Sequence, residues 1–359
     1  MINYTIRRLI AAVPAVVGIM LVTFFLARAI PGKACYAALG EHATPESCRA
    51  YEALKGLDKP VYTQLYFYLR DILQGDWGTS VHYNRPVVDF LAERLPMTVE
   101  LSVTAFFLAI IVGIPAGIIS ARYHNSFIDV GTMVGANIGV SMPVFWLGLM
   151  LAALFAVGLK GTPFFLPASN RLSAGLVAKP FFEVYGWDLV PGTVTYSLAK
   201  FLSGLYFLNS VVTLDFKTLW DAIRHMILPA AALATIPLSI IARITRSSLL
   251  EVLGLDYVRT ARAKGLIQRV VILKHAFRNA LLPVVTIMGL QLGGLMAGAV
   301  LTETIFGLSG MGRALFEAIQ QHDYPVIQGF TIIIAIIYVT ANLLVDLSYA
   351  VIDPRIRLD

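Results

Sequence analysis

The chain has 359 residues, 57% of them hydrophobic and only 14% charged, with mean hydropathy +0.74 and net charge +6. A soluble domain carries about 25% charged residues, so this composition excludes an ordinary water-soluble enzyme and points to a membrane protein. No GxxxxGK[ST] phosphate cradle occurs, so the chain offers no site for ATP.

Six stretches lack Asp, Glu, Lys and Arg and approach or exceed the roughly 20 apolar residues that cross a bilayer. They are 9–27, 101–121, 130–159, 226–242, 279–302 and 324–345. The first follows Arg7 and Arg8 and precedes small residues near Ala34–Ala38, which imitates a secretory signal peptide. Its apolar run is longer than a typical signal core, so an uncleaved helix is expected.

The region 28–100 is expected to be external. Within it, Pro60 to Leu73 reads as a helix with Leu65, Tyr66, Leu69, Ile72 and Leu73 on its packing side and Gly75 as its stop. Asp76-Trp77-Gly78 then reads as a turn carrying an interfacial aromatic. Cys35 and Cys48 are the only cysteines, and an external location permits a disulfide between them. Two unrelated free thiols are the alternative. A metal site needs more ligands than these, and His42 alone adds little.

The stretch 130–159 contains Pro143 and reads as one kinked helix with an interfacial end. Residues 160–225 read as a second external segment, with either contact to a soluble partner or cover for a pathway as its role. Its run 201–214 is short for a span and suits a buried or interfacial helix. The shortest stretch, 226–242, is expected to extend by snorkelling through Arg243 and Arg246. Gly113/Gly117, Gly289/Gly293 and Gly294/Gly298 are small-xxx-small pairs suited to close helix packing. Pro115, Pro143, Pro229, Pro237 and Pro283 can bend helices. Glu303 and Asp346 fall at helix ends, where water or an arginine is the expected partner.

With the N-terminus inside, segments 1–8, 122–129, 243–278 and 346–359 are cytoplasmic. They are richer in Lys and Arg than the outer segments 28–100, 160–225 and 303–323, as the positive-inside rule expects. Segment 243–278 dominates. It holds Arg243, Arg246, Arg259, Arg262, Lys264, Arg269, Lys274 and Arg278 against Glu251 and Asp256, a net +6 that equals that of the whole chain. In its middle, Asp256 can cap a short helix that packs through Tyr257, Val258, Ala261 and Ala263 and ends at Gly265. Read alone, this is either a contact for a cytosolic partner or an ordinary basic loop.

Several blocks carry a family resemblance: YTIRRLIAAVPAVVGIMLVTFFLARAIPG, GLDKPVYTQL, GDWGTS, SMPVFWLGLML, the loop 253–285, LTETIFGLSGMGRAL, HDYPVIQG and NLLVDLSYAVIDPRIR. Over nearly its whole length the chain resembles an inner-membrane permease subunit of ABC importers, in the branch handling dipeptides, oligopeptides, glutathione or nickel complexes. The loop matches that branch's divergent form of the EAA motif, with Arg259-Thr260-Ala261 at the motif's head and Gly265 after it. Arg259 replaces the usual Glu, and the Ile-x-Leu-Pro end is absent at His275, Phe277 and Arg278.

The resemblance implies an all-α integral membrane protein of six transmembrane helices, with the type I ABC importer permease fold and external segments after spans 1 and 3. It implies a coupling helix that contacts an ATPase through Gly254, Asp256, Tyr257, Arg259, Thr260, Ala261 and Gly265. It also implies a second homologous permease subunit, one or two cytosolic ABC ATPases that bind ATP and Mg, an external substrate-binding protein, and no nucleic acid. The expected setting is the prokaryotic inner membrane with both termini cytoplasmic. The expected division is 1–30 as N-terminal transmembrane helix, 31–97 as external region, 98–350 as a five-helix core that includes the insert 160–225 and the loop 243–278, and 351–359 as tail. No catalytic, cofactor or metal residue is expected. The GLSGMG segment, 307–312, is expected to form a scoop at the outer mouth. The competing class is an ion-coupled secondary transporter, which typically shows internal repeats and midplane sites; spans 1–3 do not recur in 4–6, and no charge falls deep in a span.

Overall fold

A computed structural model describes residues 2–29, 35, 43–54 and 56–352. His42 and tail residues 353–359 lie outside the described residues. Among the described residues the regular elements are helices, beside one isolated bridge between Thr79 and Pro86. The long elements are α1 (Ile2–Ala29), α4 (Val87–Arg122) and α10 (Phe216–Leu253), followed by α12 and α15 (Tyr324–Ile352). α12 runs as Gln268–Val270, a π-helical turn Val271–Ala276, and Phe277–Gly298. Between these lie α2 (Pro45–Leu54), α3 (Val61–Leu73), α5 (Phe127–Ser141), α6 (Val144–Gly158), α7 (Phe181–Val184), α8 (Val194–Gly204), α9 (Tyr206–Val212), α11 (Asp256–Ala263), α13 (Val300–Ile305) and α14 (Met311–Gln320).

Among the described residues five helices are long and apolar enough to cross a membrane: Thr5–Leu26 within α1, α4, α10, Gln268–Met296 and Tyr324–Leu344. The α5–α6 pair adds a sixth when read as one span. Here the single kinked helix expected over 130–159 is not what forms. The chain breaks by 101° between Ser141 and Val144. Proline disfavours helical geometry in its predecessor and supplies no N–H. Met142 accordingly sits at φ −78, ψ 128 before Pro143. α5 has 15 residues and reaches roughly 22 Å, short of the ~30 Å hydrocarbon core.

α4 and α10 lie against each other at the centre. Met97, Leu101, Ala105 and Ala109 repeat every fourth residue down one stripe of α4 and pack with Leu228, Ile241, Val284 and Phe306. Glycine sets how close the two helices come. A Cβ on Gly113 would lie 2.9 Å from the carbonyl oxygen of Leu238, and one on Gly117 would lie 2.5 Å from that of Ala242. This is the close approach that small-xxx-small pairs permit. Gly293 plays a similar part against Tyr338 of α15, at 2.7 Å. Gly294 faces open space, and the surroundings of Gly298 lie outside the description.

Both central helices run well past their charge-free stretches, and some of the flanking charges find protein partners. Glu100 in α4 is buried and pairs with Arg171 of the connection between α6 and α7. Arg171 also donates to the Gly204 carbonyl at 2.8 Å, and the Phe207 N–H donates to Glu100 at 2.6 Å. The segment 160–225 is thereby fastened to α4. Asp221 of α10 adds two bonds of 2.7 Å to Ser173, and Asn209 accepts from the Phe181 N–H at 2.9 Å. The run 201–214 is two short helices broken at Leu205, not a span.

Arg246 does not snorkel as expected. It turns inward and forms an ion pair with Asp129 of α5. Glu303 is likewise not at a wet edge. It is wholly buried, accepting from Thr98 at 2.6 Å and from the Arg313 N–H at 2.9 Å. A Cβ on Gly310 would fall 2.3 Å from its carboxylate, so the 306–312 loop folds over Glu303 only because that residue is glycine. The side chain of Asp346 lies outside the description.

α3 forms and ends as expected, with Gly75 at φ +86 just beyond it. Leu65, Leu69 and Ile72 of its expected packing side are half-buried, whereas Tyr66 is 63% and Leu73 87% exposed. Gln64 and Tyr68 face α1: Arg28 donates to Gln64 at 2.8 Å, and the Tyr68 ring lies 5.3 Å from that of Phe24. Trp77 packs with Val87, Phe90 and Phe330 rather than standing free. Cys35 and Cys48 are disulfide-bonded, with Cα atoms 5.2 Å apart.

The close α4–α10 contact predicts that Gly117→Ala lowers stability by about 1–3 kcal/mol through overpacking. Gly131→Ala, where nothing lies within 4 Å, should be nearly neutral. Thermal unfolding of the detergent-solubilised protein measures both, and equal effects would remove glycine spacing as the cause.

Candidate coupling site

α11 follows α10 after a two-residue link, Gly254 and Leu255. Leu255 holds the N-cap position without a side-chain cap, so Asp256 does not cap the helix as the sequence suggested. Asp256 instead occupies the first turn, where a carboxylate favours the positive end of the helix. Gly254 has an ordinary right-handed conformation at the end of α10. Gly265, by contrast, lies at φ +77, which a side chain would strain, and lets the chain leave α11 sharply.

Val258 and Ala261 are the buried residues of α11. They enter one apolar cluster with Ala121 of α4, Leu249 of α10, and Val271, Ile272, Ala276 and Ala280 of α12. The helix therefore rests on the ends of three long helices at once. Tyr257 adds a polar tie, accepting from the Asn279 amide at 2.6 Å. An isolated eight-residue helix is marginal in water, so α11 owes its shape to this seat.

The opposite face is open. Asp256 and Arg259 have 96% and 72% exposed side chains, and their 3.4 Å pair contributes little in water. Thr260, Arg262, Ala263, Lys264 and Gly265 complete the exposed surface, with Leu266 and Ile267 exposed beside it. The structure thus gathers the seven residues Gly254, Asp256, Tyr257, Arg259, Thr260, Ala261 and Gly265 on one short segment. Ala261 differs in facing the seat, so it supports the surface from beneath.

Two further features were not read from the sequence. Behind the seat, Asp129 is 3% exposed and bound in both oxygens by Arg246, at 2.7 Å each. Beside the α5–α6 break lies an open groove of about 610 Å³ lined by Asn137, Ser141, Pro143, Phe145 and Trp146, among others. Asp129 and Arg246 are 117 residues apart, and nothing local in either sequence marks them as partners. Asn137 was a usable signal, being a polar side chain inside an otherwise apolar stretch.

Residues 113–358 match the family described as binding-protein-dependent transport system inner membrane component, and residues 1–102 match its N-terminal counterpart. The chain is 44% identical to a dipeptide transport system permease protein of Alkalihalophilus pseudofirmus, covering 99% of this chain and 100% of that protein. It is 42% identical to a di/tripeptide transport system permease protein of Pseudomonas aeruginosa, over 99% of each. A putative peptide transport system permease protein of Brucella abortus is 36% identical, over 99% of this chain and 98% of that one. Matched from end to end by two family descriptions and by full-length relatives, the chain belongs to the inner-membrane permease components of binding-protein-dependent transport systems.

Proposed function

We infer that this chain supplies half of the translocation pathway of an ATP-driven importer for di- or oligopeptides, pairing with a second, homologous permease. As a permease of this family it is a transport subunit, not an enzyme, and ATP is hydrolysed on separate ATPase subunits. The peptide cargo is supported by the relatives, whose names specify dipeptide and di/tripeptide transport. Glutathione or metal-complex cargo would be decided by the external binding protein that delivers it. Six spans, counting α5–α6 as one, and two cytoplasmic termini agree with the basic charge of 243–278. The exterior would then hold 31–97 with its disulfide, in an oxidising setting, and the 160–225 insert would cover the outer end of the pathway. The 306–312 loop, fastened to Glu303, would form the scoop beside it.

The observation that carries the coupling role is the two-faced placement of α11. Val258 and Ala261 anchor it on α4, α10 and α12, while Arg259, Thr260 and the residues up to Gly265 stay exposed for an ATPase groove. Force applied to the open face would be delivered to three helices together. The ion-coupled carrier finds less support. The buried acids Glu100 and Asp129 are each committed to an arginine, Glu303 to a hydroxyl and a backbone N–H, and Asp323 accepts through one oxygen from the Ser80 hydroxyl and the His82 N–H.

Replacing Gly265 with Leu meets no clash but forces a side chain into a left-handed conformation, costing roughly 1–2 kcal/mol locally. The expected result is normal membrane insertion with hydrolysis no longer driving peptide uptake in proteoliposomes. Wild-type assembly, hydrolysis and uptake in that variant would sink the ATPase contact. For the outer region, thiol reagents should leave unreduced protein unlabelled and label two cysteines after reduction. Ready labelling without reductant would refute the bond.

A further inference from the structure

α5 is attached to the bundle in an unusual way: Asp129 is its only buried residue. Its carboxylate accepts the hydroxyl of Ser120 in α4, the Asn125 N–H at 3.0 Å, and the two-pronged Arg246 of α10 at 2.7 Å per prong. His124 Nδ1 stands 3.3 Å from the same carboxylate and 3.1 Å from Arg246. One charged group thus joins three helices.

The same place adjoins the seat of α11. Ala121, next to Ser120, and Leu249, one turn beyond Arg246, belong to the apolar cluster under Val258 and Ala261. At its other end α5 leads to the 101° break and the open groove beside it. α5 also packs along α10, where Gly139 approaches Ser239 and Thr235. To that packing the bidentate guanidinium–carboxylate bond adds a fixed geometry, through the one fully buried side chain of α5, so that α5 follows a rotation of α10 as well as a shift.

We propose that the Asp129–Arg246 pair is the positioning link that carries displacement of α11, through α4 and α10, to α5 and the open groove at its bend. The proposal rests on α11 being the ATPase contact.

The test uses the complete importer with Arg259→Cys in the permease, cross-linked to a cysteine in the ATPase groove. Arg246→Gln removes the charge, Arg246→Lys keeps the charge but not the fork, and Asp129→Asn keeps the shape. Cross-link yield, binding-protein-stimulated hydrolysis and peptide taken up per ATP are measured in proteoliposomes. The expected result for Arg246→Gln is undiminished cross-linking with peptide uptake per ATP lower by roughly tenfold, a size typical of coupling between sites. Arg246→Lys should retain more than Arg246→Gln. Unchanged uptake per ATP in Arg246→Gln and Asp129→Asn overturns the proposal. Failure of all three variants to assemble also overturns it, leaving the pair a folding element only. A missing cross-link with Asp129 and Arg246 intact defeats the ATPase contact itself, and the link with it.

Discussion

The contact between α4 and α10 governs the rest of the molecule. In a bilayer the hydrophobic effect does not press helices together, so close packing must. Gly113 and Gly117 let α4 approach the backbone of α10 at the carbonyls of Leu238 and Ala242. That axis carries the insert at one end, through Glu100 and Asp221, and the seat of α11 at the other, through Ala121 and Leu249. The buried ion pairs Glu100–Arg171 and Asp129–Arg246 are each built onto one of these two helices.

The legible part of this fold is the part that depends on length and composition. Apolar runs located the long helices, and the shortness of 201–214 marked it as no span, although the break at Leu205 was not legible. The α11 segment was legible because helix starts, Gly265 and a basic surface are local features. What escaped depends on pairing. Arg246 at the end of an apolar run reads as a snorkelling side chain, and only the position of Asp129 on another helix makes it an inward partner. Glu303 was placed at a wet edge for the same reason, since its donors come from Thr98 and from a loop that closes over it. Pro143 signalled a bend, but the angle depends on how Met142 and its neighbours pack.

The outer elements show a similar division. Gly75 ends α3 where the residue pattern suggests, and Leu65, Leu69 and Ile72 are half-buried as expected, while Tyr66 and Leu73 are apolar residues left exposed. Arg28, by lying over the Phe24 ring at 3.4 Å and donating to Gln64, adds Gln64 and Tyr68 at one margin of that apolar stripe, so the exposed residues are those at the other margin.

The seat beneath α11 has one more consequence. A helix of this length would melt if separated from its platform. Any partner that recognises its helical form therefore also recognises the platform beneath it, and binding energy spent on α11 is shared with α4, α10 and α12. By mass action, such a partner would stabilise the folded permease in proportion to its occupancy. With α11 as the proposed ATPase contact, a permease without its ATPase would be the less durable species, and partner supply would set how long the subunit survives in the membrane.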